Sequence, residues 1–287
     1  MNPWLAAARP RTLPAALVPV IVAAAAAHRS GVFDWLSFPL TLLGAVAIQV
    51  AANLANDASD AARGADPEDR LGPPRMVASG RLSAPNVWRA CVLAVAVAAA
   101  CGVVLALRVG PVILLIGLAS ILAMLSYVGG PFPYGYRGLG EVFVLAFFGV
   151  VATAGSRLAY DGQCPAFVWW LGIPIGLLAA GILMANNLRD LPTDKRVGKR
   201  TLAVLIGEPS AVKLFFATLW VALALTLLLV IIGVEPPPVA AGAAAGIFIV
   251  PLHQFDRTDP RRYVSLLGGT VRVHLAFGLL VALGLLL

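Results

Sequence analysis

Apolar residues gather into nine stretches along the chain, roughly at 12–28, 36–56, 87–107, 110–128, 139–160, 166–188, 211–233, 237–252 and 270–287. Most approach the about 20 residues a helix needs to cross the hydrocarbon of a bilayer. The pattern predicts an all-α, polytopic membrane bundle of about nine transmembrane helices in a single domain, residues 1–287. The first stretch follows Arg9 and Arg11, lacks a cleavage context and precedes eight more, so it reads as the first helix rather than a removed signal. The polar residues concentrate in connections 2–3 and 6–7 and in the stretch from His253 to Arg272.

Two stretches end in polar clusters. The second runs into Asn53-Leu-Ala-Asn56-Asp57-Ala-Ser-Asp60-Ala-Ala-Arg63-Gly64-Ala-Asp66. On a helix, Asn53, Asn56, Asp57 and Asp60 fall at i, i+3, i+4 and i+7 and share one face. The sixth runs into Asn186-Asn187-Leu-Arg189-Asp190-Leu-Pro192-Thr-Asp194, where Asn187, Asp190 and Asp194 repeat the spacing. Pro192 would clash with the Leu188 carbonyl inside a helix, so a kink or a new first turn is expected there. Like charges so placed at the edge of hydrocarbon call for a cation between them. Two acidic helix ends, each followed by Arg or Lys and Gly, read as halves of one site, with a duplicated four-helix unit plus one span as the architecture.

Composition agrees with the pattern: 60% of the 287 residues are hydrophobic and 12% charged, more apolar surface than a soluble core can hide. The net charge of +7 is spread among short connections, which argues against nucleic-acid binding. If nine helices alternate, eighteen of the 21 Lys and Arg fall on one side, and only Arg29, Arg108 and Arg157 on the other. The positive-inside rule then places the N-terminus and both acidic clusters in the cytoplasm and the C-terminus opposite, in a membrane protein of the bacterial plasma membrane type. Cys91, Cys101 and Cys164 show no metal or redox spacing and read as packing residues, and His28, His253 and His274, scattered singly, read as satisfied or interfacial histidines. Trp35, Trp88, Trp169, Trp170 and Trp220 read as interfacial anchors.

Carboxylates and amides without His or Cys suit Mg²⁺, which is usually shared with a substrate phosphate. Arg63, Arg70, Arg75 and Lys199 then lie near a diphosphate's outer oxygens and stabilise it as it leaves carbon. In a bilayer the fitting substrate is a polyprenyl diphosphate, whose tail lies among the helices. The residues themselves thus point to a prenyl transferase. A third stretch, from Tyr127 to Glu141, joins helices four and five with three tyrosines and Arg137 among glycines and prolines, and reads as a tight turn with ligand contacts. A transporter with buried carboxylates is the rival class, but its charges belong near the bilayer midplane rather than at basic helix ends.

The paired clusters, Asn53-x-x-Asn-Asp-x-x-Asp60 and Arg189-Asp190-x-x-x-Asp194-x-x-x-Gly198-x-x-Thr201, resemble the Asp-rich motifs of the UbiA superfamily of intramembrane aromatic prenyltransferases. Within it, the chain looks most like the 1,4-dihydroxy-2-naphthoate polyprenyltransferases of menaquinone synthesis. The likeness is carried by Ala8-Arg-Pro-Arg-Thr-Leu-Pro14, Asp60-x-x-x-Gly64-x-Asp66, Arg70-x-Gly-Pro-x-Arg75, Gly129-Gly-Pro-x-Pro-x-Gly-Tyr-Arg-Gly-Leu-Gly-Glu141, Asn186-Asn-Leu-Arg-Asp190 and Gly198-Lys-x-Thr-Leu202. Ala58-Ser59 and Ala61-Ala62 depart from relatives with longer residues between the acids. The resemblance implies catalysis through Asp57, Asp60, Asp190 and Asp194, with Mg²⁺ held through diphosphate by these acids and Asn56; Asp66 and Asn187 join the candidate metal set. Asn53, Asn56, Arg63, Arg70, Arg75 and Lys199 become the candidate diphosphate residues, and Arg11, Tyr127, Tyr136 and Arg137 the candidate acceptor residues. The implied reaction transfers the polyprenyl group to 1,4-dihydroxy-2-naphthoate, with loss of CO₂ and diphosphate, to give demethylmenaquinol. The alternative acceptor is 4-hydroxybenzoate or another phenol, and the Asp60-to-Asp66 spacing favours the naphthoate.

Overall fold

The computed structural model describes residues 2–64, 71–72, 74–254, 259 and 261–287. Asp66 and Arg70 lie outside the described residues. Among those described, all regular structure is helical. A short α1 (Pro3–Ala8) precedes α2 (Pro14–Arg29), α3 (Ser37–Ala62), α4 (Ala84–Val109) and α5 (Val112–Ser126). Next come α6 (Gly140–Val144) and α7 (Ala152–Asp161), joined by the π-helical turns Leu145–Val151. The chain continues through α8 (Ala166–Arg196), the short α9 (Leu202–Ile206), α10 (Glu208–Ile231), a 3₁₀ segment (Pro237–Phe248) and α11 (Arg262–Leu286).

Every apolar stretch coincides with a helical segment, but the expected nine spans do not follow from length and composition. Among the described residues, six helices are long and apolar enough to cross a membrane: α3, α4, the continuous Gly140–Asp161, α8, α10 and α11. A seventh is possible where Pro3–Thr12 and Pro14–Arg29 form one span bent by 53°. The 15 residues of α5 and the 12 of the 3₁₀ segment are shorter than a full crossing.

Several helices outrun their apolar stretches. α3 continues to Ala62 and α8 to Arg196, carrying both acidic clusters as helix, because the polar side chains there find partners in neighbouring segments instead of ending the helix. α8 also runs through Pro192 without a new first turn.

Among the described residues, the two larger of the buried apolar clusters join most of the bundle. One joins α2, α8, α10 and α11 through Val18, Leu178, Phe215, Leu219, Phe277 and Val281, all buried. The other joins α3 and α4 with Met124 of α5, through Ala51, Leu54, Val87 and Cys91. α2 therefore packs with the C-terminal helices, so the core does not divide into two sequential halves. Without a hydrophobic drive between helices in lipid, close packing takes its place. A Cβ on Gly149 would lie 2.4 Å from the Gly172 carbonyl oxygen, so the π-helical turns sit against α8 backbone to backbone. Leu107, Leu115, Ile231 and Ile247 point outward, as lipid-facing residues do.

Candidate active site

A cavity of about 310 Å³ is bounded by α2 to α8, at the low end of volumes usual for small-ligand sites. Its polar lining includes Arg9, Asn53, Asn56, Asp60, Arg75, Asn187, Asp190 and Lys199. From Asp60 the lining follows α3 to Leu40, about 30 Å at 1.5 Å per residue, and from Ala52 to Leu40 most of its lining residues are apolar.

The ends of α3 and α8 meet through Lys199. After α8, Gly198 adopts φ 74, and the Lys199 N–H returns to the Asp194 carbonyl at 2.9 Å and that of Gly198 to Lys195 at 3.4 Å. This is the Schellman pattern, which needs glycine at its left-handed position. It brings the Lys199 ammonium 3.8 Å from Asp60 and 4.0 Å from Asp194. Arg75 reaches the same Asp60 oxygen, Oδ2, at 3.2 Å. Tyr136 donates its hydroxyl to the other, Oδ1, at 2.8 Å. Burial and the Asp60 charge push the Tyr136 phenol well above its ordinary value, so it stays a proton donor.

The other expected residues divide. Asp57 is buried and accepts hydrogen bonds from the backbone N–H groups of Met76 at 3.0 Å and Val77 at 3.2 Å, so its carboxylate faces the 74–83 connection. Asn53 donates to the Ala8 carbonyl at 2.9 Å and the Thr12 hydroxyl at 3.1 Å, tying α3 to the N-terminal segment. Asn187 donates to Glu141 at 2.9 Å. Asp190 is held in a two-bond fork by its own neighbour, Arg189, at 2.8 and 2.7 Å. The Arg63 guanidinium lies over the Tyr136 ring, 4.7 Å from its centroid.

Among the acceptor candidates, Tyr127 lines the cavity and packs edge-on against Tyr134, which stacks on Phe143 at 3.9 Å. Arg11 is exposed, and Arg137 lies exposed over Phe132. Arg9, unlike Arg11 and Arg137, lines the cavity, in a left-handed conformation at φ 50. A non-glycine residue there is sparsely populated, and such outliers gather at functional sites. Proline at position 10, which disfavours helix in the residue before it, was the available signal. Arg189 and Glu141 were not named as site residues, although both stand in motifs quoted above, and Tyr134 lies within the Tyr127–Glu141 stretch read for ligand contacts.

Among the described residues no three acidic, His or Cys side chains converge as a ready metal centre. The donors nonetheless fit a hard cation shared with a substrate. Asn56 Oδ1 is buried without a hydrogen-bond partner, one helical turn before Asp60 on the same cavity wall. An orphaned oxygen beside carboxylates is what such an ion takes as a ligand.

The UbiA prenyltransferase family matches residues 16–285. The 1,4-dihydroxy-2-naphthoate octaprenyltransferase of Mycobacterium tuberculosis is 40% identical over 85% of each chain. The Escherichia coli protein of that name is 41% identical over 72% of this chain and 70% of its own. A UbiA homolog from Archaeoglobus fulgidus bound to GPP and Mg²⁺ superposes with a TM-score of 0.68 at 17% identity, covering 98% of this chain and 99% of that one. The apo UbiA homolog from Aeropyrum pernix gives 0.70 at 18%, covering 94% and 96%. These structures carry the fold, and the family match together with the sequence relatives decides membership: the chain belongs to the UbiA prenyltransferase family.

Proposed function

We propose that the chain transfers a polyprenyl group from polyprenyl diphosphate to 1,4-dihydroxy-2-naphthoate with Mg²⁺, releasing diphosphate and CO₂ and giving demethylmenaquinol. The observation that carries this reading is Lys199 standing between Asp60 and Asp194, at 3.8 and 4.0 Å, at the polar end of a long apolar cavity. Such a site holds a diphosphate at one end and a prenyl tail along the rest. The names of the sequence relatives support the acceptor.

Asn56, Asp60, Asp190 and Asp194 would hold Mg²⁺, which would neutralise charge developing on the diphosphate leaving group. Lys199 and Arg75, which pair with Asp60, would turn toward the diphosphate's oxygens as it binds. Asp57 acts one step back, by fixing the 74–83 connection that presents Arg75. The motif adds Arg63 and Arg70 as diphosphate residues and Asp66 as a supporting metal residue. The allylic C–O bond breaks, the ring carbon bearing the carboxylate forms the new C–C bond, and the C–CO₂ bond returns its electron pair to the ring. Loss of CO₂ makes the step hard to reverse. Tyr127 and Tyr134 wall the space where that ring sits, and both acidic motifs face the cytoplasm.

The test uses purified protein, Mg²⁺, a polyprenyl diphosphate and naphthoate labelled at the carboxylate. Labelled CO₂ is expected in step with prenylated product. Product that retains the label, or much faster turnover of 4-hydroxybenzoate, overturns the acceptor and leaves the prenyl transfer standing.

A further inference from the structure

Asp60 lines the cavity, whereas Tyr136, bonded to it, does not. The two carboxylate oxygens are therefore divided. Oδ2 meets Arg75 and Lys199, both on the cavity wall, and Oδ1 accepts the Tyr136 hydroxyl outside that lining. The Tyr136 ring has a second occupation. Arg63 lies 4.7 Å and Lys199 5.1 Å from its centroid, so one aromatic face or the other supports each of two cations read above as diphosphate ligands. Cation–aromatic contacts of this range hold a side chain in place without neutralising it.

The placement of Tyr136 follows from its loop. A 3₁₀ turn, Tyr134–Tyr136, is closed by the Tyr136 N–H on the Pro133 carbonyl at 3.0 Å, and Gly135 donates back to Tyr127 at 2.9 Å. Its backbone is thus pinned to the end of α5, about midway in sequence between the two acidic motifs. A Cβ on Gly135 would fall 2.7 Å from the Tyr127 carbonyl oxygen, which is why this turn carries glycine between its two tyrosines.

We propose that Tyr136 is a positioning residue with two separable parts: its hydroxyl orients Asp60 toward the metal, and its ring orients Lys199 and Arg63 toward the diphosphate. The proposal rests on the metal-diphosphate reading of the site. Groups that hydrogen-bond a ligating carboxylate from behind fix its orientation, and their removal commonly costs 10–100-fold in metal affinity. Tyr136→Phe removes the hydroxyl and keeps the ring. Tyr136→Leu removes both.

The experiment measures binding to full-length detergent-purified protein, with no turnover. Mn²⁺, followed by electron paramagnetic resonance with inorganic diphosphate present, reports the metal. Inorganic diphosphate in EDTA, followed by calorimetry, reports the cations alone. For Tyr136→Phe, Mn²⁺ affinity is expected to fall at least about tenfold, with diphosphate affinity in EDTA within about twofold of wild type. For Tyr136→Leu both are expected to fall. Thermal midpoints and elution profiles matching wild type show that each variant is folded. Tyr136→Phe with wild-type Mn²⁺ affinity overturns the role of the hydroxyl, and equal diphosphate affinities in the two variants overturn that of the ring. Wild-type protein that binds no Mn²⁺ even with diphosphate overturns the metal reading itself, and this proposal with it.

Discussion

The carboxylate of Asp57 on α3 caps the backbone N–H of Met76, 19 residues later, at 3.0 Å. With Val77 also bonded at 3.2 Å, an acid from the first Asp-rich motif becomes the anchor of a connection that presents Arg75 to Asp60. Asp57→Asn turns one acceptor oxygen into a donor facing an N–H. That costs about 1–3 kcal/mol for a buried group left unsatisfied. The thermal midpoint is expected to fall by several degrees, and proteolysis within 74–83 to accelerate. A stable variant with a protected connection and abolished turnover makes Asp57 a direct ligand instead.

Asp60, Asp190 and Asp194 converge on the cavity or on Lys199 and should behave differently. Their Asn variants keep shape and lose a charged ligand. Turnover is expected to drop by about 10²–10³, the scale seen when one group stabilising a developing charge is removed, and EDTA should abolish wild-type activity. Near-wild-type rates in all three sink the two-motif site.

The helical segments were legible in the sequence because apolar stretches of spanning length have few alternatives in a bilayer. The pairing of the two motifs was legible because Asn53 to Asp60 and Asn187 to Asp194 repeat one spacing. What each acid touches was not. Asp57 and Asp60 share a helix face, yet Asp57 meets a connection whose fold depends on Gly and Pro torsions, and Asp60 meets side chains from three other segments. The ends of α3 and α8 ran past their apolar stretches because hydropathy cannot distinguish a polar residue facing water from one facing a polar partner. Arg11 was favoured over Arg9 because charge alone does not reveal a left-handed backbone at φ 50.

Orientation can be read by labelling. Ser83 and Gln163 are both exposed, at opposite ends of the bundle under the positive-inside assignment. Gly162 is unsuitable as a reporter, since a Cβ there would fall 2.8 Å from the Val109 carbonyl oxygen. With Cys91, Cys101 and Cys164 replaced by Ala, Gln163→Cys is expected to react with an impermeant thiol reagent in intact cells, and Ser83→Cys only after lysis. The reverse order inverts the site's side of the membrane.

Glu235 lies in the turn between α10 and the 3₁₀ segment, 3% exposed, with both carboxylate oxygens lacking a partner. Burial pushes it from 4.5 up to about 8. The folded protein therefore holds a proton that an exposed glutamate gives up. Its contribution to stability is full below about pH 4.5 and is lost as pH rises to about 8. Glu235→Gln keeps the neutral form at every pH, so its thermal midpoint should exceed wild type at pH 8 by a few degrees, on the order of 1–3 kcal/mol, and converge with it near pH 5. Parallel curves over that range would exclude Glu235 as the titrating group.

The acceptor's carboxylate needs a cation that reaches the cavity, and the two arginines flanking Pro10 separate the possibilities. Arg9 lines the cavity and Arg11 is exposed, although only one residue lies between them. The positive φ at Arg9 and the following 3₁₀ turn, Pro10–Thr12, send the two side chains apart, while Asn53 holds this segment through Ala8 and Thr12. A lost charge-assisted contact to a carboxylate costs about 1.5–3 kcal/mol, which is roughly 10- to 150-fold in affinity. Arg9→Gln should therefore raise the KM for 1,4-dihydroxy-2-naphthoate by at least about tenfold while leaving that for the polyprenyl diphosphate within about threefold, and Arg11→Gln should change neither. Arg9→Lys should recover part of the loss, because it restores the charge without the planar fork. If Arg11→Gln carries the acceptor defect and Arg9→Gln does not, the charge that fixes the naphthoate acts from outside the cavity wall, and the acceptor must enter with its carboxylate toward the surface rather than toward Asn53.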